Sequence, residues 1–293
     1  MDSKDTFFSK KRSFCCRGQL IRTDPALIMG ILNITPDSFF AGSRVNDPES
    51  IRETAARMIR EGADILDVGA YSSRPGASEV SENEEIRRLE LALPRIRDSF
   101  PGTLLSVDTF RSSVARRAVR DLGADMVNDI SGGDLDEGMF KTVAELGVPY
   151  VLMHMKGTPA TMQRYAVYRD VTREIILDLS GKLAALARLG VKDIILDPGF
   201  GFAKNADQNF LILKELDAFR IFPQPLMVGL SRKSLIYKTL GLSPMEALNG
   251  STVLHTIALM KGAGILRVHD VGPAREAVRL LERLMKAGEE SGP

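Results

Sequence analysis

Lys192-Asp193-Ile194-Ile195-Leu196-Asp197 runs directly into Pro198-Gly199-Phe200-Gly201-Phe202-Ala203-Lys204. A short apolar run stops on a carboxylate, and a glycine-rich loop takes over. A strand that delivers a polar side chain to its carboxyl end reads this way. Seven other runs follow the same plan: Ala26–Asn33, Asp64–Asp67, Thr103–Asp108, Ala124–Asp129, Pro149–His154, Pro225–Gly229 with Ser231 just beyond, and Ile265–Asp270. They recur roughly every thirty residues, the length of one βα unit. Helical stripes lie between them, such as Ile51, Ala55, Met58 and Ile59 before Gly62, and Val171, Ile175, Leu179, Leu183 and Leu186 before Gly190. Ser81 with Glu84 forms a capping box ahead of Ile86, Leu89 and Leu93. Further stripes run through Phe210, Leu213 and Leu216 and from Met245 to Met260. The alternation predicts an α/β fold, a single (β/α)8 TIM barrel, whose chemistry gathers at the carboxyl ends of its strands. Ser13–Thr23 alternates apolar and polar residues around Gly18, so an N-terminal β-hairpin is expected to cover the barrel's open bottom. The barrel domain with its hairpin is placed at 13–288, residues 1–12 are read as a disordered tail and 289–293 as a second tail.

A chain of 293 residues suits one such barrel. Hydrophobic residues make up 44% and charged residues 26%, enough for a real core. Thirty-nine Lys and Arg against 38 Asp and Glu leave a net charge of +1, which argues against a nucleic-acid or membrane partner. No apolar stretch approaches the roughly 20 residues that span a bilayer. Residues 1–20 lack the apolar core of a secretory signal. Cys15 and Cys16 are adjacent, a poor geometry for a disulfide, and read as reduced thiols of a cytoplasmic protein.

Several strand endings carry side chains that a purely structural role does not require. Asn33 and Asp37 offer two hard oxygens, sufficient for a Mg2+ that keeps its waters and binds phosphate. Phe39 and Phe40 in that polar loop suit closure over something flat. Ala70–Gly76, after the second run, joins hydroxyls, Arg74 and Pro75-Gly76 in a second loop at the same mouth. Asp108, Asn128 and Asp197 each end an apolar strand, where an acceptor costs free energy unless it meets a partner. Together they suit a ligand rich in N–H donors, although they could instead share a metal. Ser231-Arg232-Lys233-Ser234 follows the seventh run, while Arg267 and His269, two apart on the eighth, project to one face. Lys233, Arg267 and His269 at one mouth point to a phosphate or pyrophosphate. His154 is open between ligand and core, and His255 reads as a packing residue.

The chain resembles the dihydropteroate synthase (pterin-binding) family over about residues 25 to 285. The resemblance rests on Met29–Phe39 (MGILNITPDSF), Ser73–Gly76 (SRPG), Ser106–Thr109 (SVDT), Asn128–Ile130, Leu152–Met155 (LMHM), Leu196–Phe202 (LDPGFGF), Gly229–Ser234 (GLSRKS) and Arg267–Val271 (RVHDV). It implies condensation of 6-hydroxymethyl-7,8-dihydropterin pyrophosphate with p-aminobenzoate, and competition by sulfonamides. It also implies that Asp108, Asn128, Asp197 and Lys233 hold the pterin, lined by Ile130, Met153 and Phe202. Asn33 would bind Mg2+, joined by Asp37. Asn33, Ser73, Arg267 and His269 would surround the pyrophosphate. Phe39, Ser73, Arg74, Pro75 and Ser234 would frame p-aminobenzoate. The chain departs from the family's Gly-Glu-Ser-Thr-Arg-Pro-Gly at Ala70-Tyr71-Ser72-Ser73, losing the glutamate and keeping a hydroxyl.

This chemistry places Asn33, Asp37, Lys233, Arg267 and His269 in catalysis. An arylamine is already nucleophilic when neutral, so expelling pyrophosphate is the difficult step, and an SN1-like route is the working hypothesis. The competing reading is a methyltetrahydrofolate-dependent methyltransferase using the same pterin positions. The broad apolar surface of the Met245–Met260 segment, and the family's habit, lead to an expected homodimer.

Overall fold

The computed structural model describes residues 13–34, 48–71 and 80–287. Eight parallel strands alternate with helices: β3 (Leu27–Asn33), β4 (Ile65–Gly69), β5 (Leu104–Asp108), β6 (Met126–Asp129), β7 (Tyr150–Met153), β8 (Ile194–Asp197), β9 (Met227–Val228) and β10 (Ile265–Val268). Their order is β8-β7-β6-β5-β4-β3-β10-β9. The ring closes where Leu196 bridges Leu226 and its N–H donates to the Pro225 carbonyl at 2.9 Å. The expected (β/α)8 barrel is therefore present.

Strand parity divides the core. Outward residues such as Leu66, Val68, Leu105, Val107, Leu152 and Leu196 pack against the helices in the main apolar cluster. Inward residues at the amino ends of the strands form a second cluster: Met29, Ile65, Met126, Val151, Ile195, Met227 and Ile265. Farther along the same strands the lumen becomes polar, with Asp67, Ser106, Asn128, Asp197 and Arg267 at inward positions.

The hairpin is β1 (Ser13–Cys16) and β2 (Gln19–Arg22), paired antiparallel with Cys16 opposite Gln19. Arg17 and Gly18 have φ of +51° and +74°, the two left-handed residues of a type I′ turn. Phe14 and Cys16 enter the lower lumen cluster, and the Cys15 N–H donates to Asp193 Oδ1 at 2.7 Å. The hairpin is a plug, as its alternation implies. Cys15 and Cys16 are free thiols.

Helices fill the other layer: α1 (Pro48–Glu61), α2 (Glu82–Ser99), α3 (Ser112–Asp121), α4 (Met139–Leu146), α5 (Val171–Arg188), α6 (Ala206–Lys214), α7 (Ser234–Leu240), α8 (Leu248–Met260) and α9 (Val271–Lys286). Ser81 caps α2 by accepting from the Glu84 N–H at 3.3 Å. Two stripes are interrupted. Pro244–Glu246 forms a separate 3-10 turn, closed by the reciprocal Ser243–Glu246 capping box, before α8 begins. The Phe210–Leu216 stripe likewise breaks into α6 and a 3-10 turn over Leu216–Ile221. Residues 1–12 and 288–293, which include both segments read as tails, lie outside the described residues.

Phe14 is fully buried in the plug. Phe14→Ala is expected to cost about 3–5 kcal/mol of stability, because the cavity cannot collapse inside a closed barrel. Urea denaturation measures this, and a loss under about 1 kcal/mol would show that the hairpin merely rests on the barrel.

Candidate active site

At the upper end of the lumen one guanidinium gathers two carboxylates. Arg267, on β10, donates from Nε to Asp67 Oδ2 at 2.7 Å and from Nη2 to Asp108 Oδ2 at 2.5 Å. Asp67 Oδ2 also accepts from Asn128 Nδ2 at 2.9 Å. A carboxylate only accepts, so this contact fixes the Asn128 amide with Nδ2 inward. Its Oδ1 is thereby left as an acceptor for a ligand. Asn128 is buried, and its side chain meets no other hydrogen-bond partner among the described residues.

Asp197 ends β8 and is buried, its Oδ1 accepting from the Gly199 N–H at 2.7 Å. Burial raises its pKa, while the nearby Lys233 and Arg267 oppose that rise. Burial also raises the Asp108 pKa against the attraction of Arg267. Lys233 precedes α7, donates to the Phe200 carbonyl, and lies 4.8 Å from the centre of the Phe202 ring. Burial pushes its pKa down to about 8, with Asp197 as the main opposing charge. Ile130 and Met153 pack with Met155, Met162 and Ala203, and Phe202 lies against them. The result is a small apolar wall facing polar groups, the usual composition of a pocket for a flat heterocycle.

Asn33 stands at the end of β3. A Cβ on Gly69 would lie 3.3 Å from Asn33 Oδ1 and 3.6 Å from Asp108 Oδ2, so the bare glycine seats both groups beside it. His269, just beyond β10, has its backbone N–H 3.2 Å and its Nδ1 3.3 Å from Ser231 Oγ. Ser234 opens α7 and is exposed. The strand-end positions singled out in the sequence thus meet at one rim. Asp37, Phe39, Ser73, Arg74 and Pro75 lie outside the described residues. No helix among the described residues is long and apolar enough to cross a membrane, and no cluster of three His, Cys, Asp or Glu suited to a metal occurs there.

Other placements refine the reading. Arg232 grips Asp270 with two bonds of 2.7 and 2.8 Å and donates to the Pro244 carbonyl, an anchoring role. His154 is buried beside Lys204, and His255 is buried within α8. Tyr71, at the family's glutamate position, packs edge-on to Phe110 at 5.1 Å with Arg111 over its ring. Asp67 is the functional residue that sequence pattern misses. By pattern the second run ends there, whereas β4 continues to Gly69 and turns Asp67 into the lumen. Its one signal is an acidic residue inside Ile65–Val68, where a carboxylate needs a cation.

The chain matches the family model described as pterin binding enzyme over residues 29–269. It is 42% identical over 264 residues to the dihydropteroate synthase of Escherichia coli strain K12, covering 89% of this chain and 93% of that one. Its fold superposes on the Yersinia pestis dihydropteroate synthase in a sulfonamide drug complex with a TM-score of 0.88, at 37% identity, covering 94% and 99% of the two chains. The Thermus thermophilus dihydropteroate synthase in complex with 4-aminobenzoate gives a TM-score of 0.84 at 40% identity, covering 93% and 100%.

Asp67→Asn keeps the shape but removes a charge that faces Arg267 in a closed lumen. It is expected to cost about 3 kcal/mol in urea denaturation, as for a buried pair that loses one partner. A cost below about 1 kcal/mol would mean that Asp108 alone balances the guanidinium.

Proposed function

The chain belongs to the pterin-binding family of dihydropteroate synthases, and on that premise we propose that its rim joins 6-hydroxymethyl-7,8-dihydropterin pyrophosphate to p-aminobenzoate, yielding 7,8-dihydropteroate and pyrophosphate in folate synthesis. The carrying observation is the Asn128 amide, whose Nδ2 donates to Asp67 so that Oδ1 is left to accept at the end of β6, with the Asp197 carboxylate at the end of β8 two strands away. A pterin presents an amino group and ring N–H groups along one edge, which these acceptors and Asp108 match. Its carbonyl and ring nitrogen suit donation from Lys233, while Ile130, Met153 and Phe202 receive the ring faces.

In the reaction the bond from the pterin methylene carbon to the pyrophosphate oxygen breaks, and its electron pair leaves with pyrophosphate. The amine nitrogen forms the new bond and releases a proton to water. Arg267 and His269 are assigned to the growing negative charge, and the two carboxylates on Arg267 hold its guanidinium in place beforehand. Asp108 and Asp197 are assigned to stabilise the electron-poor pterin, which favours the SN1-like route. Mg2+ on Asn33 and Asp37 is part of the proposal. The hard Asn33 oxygen beside Asp108 fits an ion that keeps most of its waters. When bound, Mg2+ supplies positive charge to the departing diphosphate.

Phe39, Ser73, Arg74, Pro75 and Ser234 are assigned to p-aminobenzoate, with Ser73 also near the pyrophosphate, and sulfonamides are assigned as competitors there. Val253, Ile257 and Met260 on α8 and Leu280, Leu284 and Met285 on α9 are exposed apolar residues, which supports a homodimer through these helices. A cytoplasmic location is proposed with it. A methyltetrahydrofolate-dependent methyltransferase is not favoured: the identity is to dihydropteroate synthases, and methyl transfer gives Arg267 and His269 no diphosphate to meet.

Pyrophosphate release from the pterin substrate, assayed with p-aminobenzoate and Mg2+, tests the activity. The dissociative route is expected to show slower release that continues without the amine, and strict dependence on amine would contradict it. Lys233 carries its proton below about pH 8 and loses it above. Pterin affinity is therefore expected to decline as pH rises through about 8, and Lys233→Met should abolish that limb.

A further inference from the structure

Lys204 closes the loop that Asp197 opens, yet the residue is only 3% exposed. Lysine is seldom buried to this extent without partners. Its Nζ lies 2.9 Å from the carbonyl oxygens of both Gly199 and Phe202, and 3.1 Å from His154 Nδ1. An ammonium has three N–H donors for these three nearer acceptors, and the His154 carbonyl lies farther off at 3.4 Å. With the His154 proton on Nε2, the protonated lysine is thus fully satisfied. His154 agrees: burial and then Lys204 push its pKa down to about 2, so the ring is neutral and its Nε2–H tautomer accepts at Nδ1.

Other bonds hold parts of the loop: the Gly201 N–H donates to Asn209 Oδ1 at 2.7 Å and the Phe202 N–H to the Gly199 carbonyl at 3.1 Å. Gly199 sits at φ +74°, where a Cβ would stand 2.0 Å from the His154 carbonyl oxygen. Ala203 is also left-handed, at φ +49°, and its carbonyl accepts from Tyr168 Oη at 3.0 Å. Between these points the Lys204 ammonium ties the turn to the end of β7. Asp197 and Phe202, which the loop carries, both face the pterin pocket. Charge makes a second case. Asp67, Asp108 and Asp197 face Arg267 and Lys233, and Lys204 evens the count.

We propose that Lys204 is a positioning residue of the pterin pocket: its ammonium pins the Gly199–Phe202 turn and keeps Asp197 ionised, without touching the ligand. This rests on the pterin reading of the rim. The charged groups facing Asp197 are Lys233, Arg267 and Lys204. Those facing Lys204 are Asp197, Lys233, Lys156 and Asp178, with neutral His154 in contact. Burial draws Lys204 down to about 7, and Asp197 is the main charge that opposes this, so the two groups support each other's ionised forms. Removing the cation raises the Asp197 pKa further. Binding that needs the carboxylate is complete above that pKa and is lost as pH falls through it.

The test is titration of the intact protein with 6-hydroxymethylpterin between about pH 5 and 9, a range that brackets the shifted groups. Lys204→Met is expected to weaken binding about tenfold at about pH 7 and to move the acidic limb upward by about one pH unit, with the deficit shrinking towards about pH 8. Tyr168→Phe loosens the same loop without changing charge, and it is expected to leave the acidic limb where the wild type has it. Lys204→Arg keeps the charge, so it should also hold that limb in place, and it serves if the methionine variant does not fold. Unchanged affinity in Lys204→Met, or an equal loss at every pH, would overturn the proposal. Failure of the wild type to bind the pterin would instead overturn the reading of the pocket on which it rests.

Discussion

One partly buried guanidinium organises the upper lumen. Arg267 reaches from β10 to Asp67 on β4 and Asp108 on β5, and Asp67 passes the constraint to Asn128 on β6. Charges in such a place are tolerated only when paired and hydrogen-bonded, so each member depends on the others. The pairing also sets directions: it leaves the Asn128 oxygen to accept from a ligand and denies Arg267 the freedom to collapse onto a single carboxylate. A ligand therefore meets groups already oriented, which is the source of electrostatic advantage in a water-poor site.

That polar end is possible because the other end is dry. The plug of Phe14 and Cys16 completes an apolar layer with Met29, Ile65, Met126, Val151, Ile195, Met227 and Ile265. The same strands then present Asp67, Asn128, Asp197 and Arg267 two residues farther along, since alternate side chains face the lumen. Stability and chemistry occupy opposite ends of one barrel, in keeping with the architecture in general.

Most of this is legible in the sequence because strand endings announce themselves. Asp108, Asn128 and Asp197 stand out as acceptors closing apolar runs, and Arg267 with His269 as polar residues spaced two apart. What escapes a reading of pattern depends on depth. Asp67 lies one layer below the rim, and its one local signal is a carboxylate inside the apolar Ile65–Val68 run. In the sequence Lys204 stands only as the end of the glycine-rich loop, and the fold's return of that loop onto His154 buries it. His154, open in the sequence, proves to be Lys204's partner. The helix that spans Met245 to Met260 in the pattern is broken by a turn that Ser243 and Glu246 close. The first two loops, with Asp37, Phe39, Ser73, Arg74 and Pro75, are legible only as motifs.

A crystal structure of the protein with 6-hydroxymethylpterin bound addresses the convergence most directly. The ring is expected between the Ile130–Met153 wall and Phe202, its N–H edge on Asp197 and Asn128 Oδ1, with Arg267 still paired to Asp67. A pterin bound elsewhere, or an Asn128 amide turned with Nδ2 towards the ligand, would contradict the account.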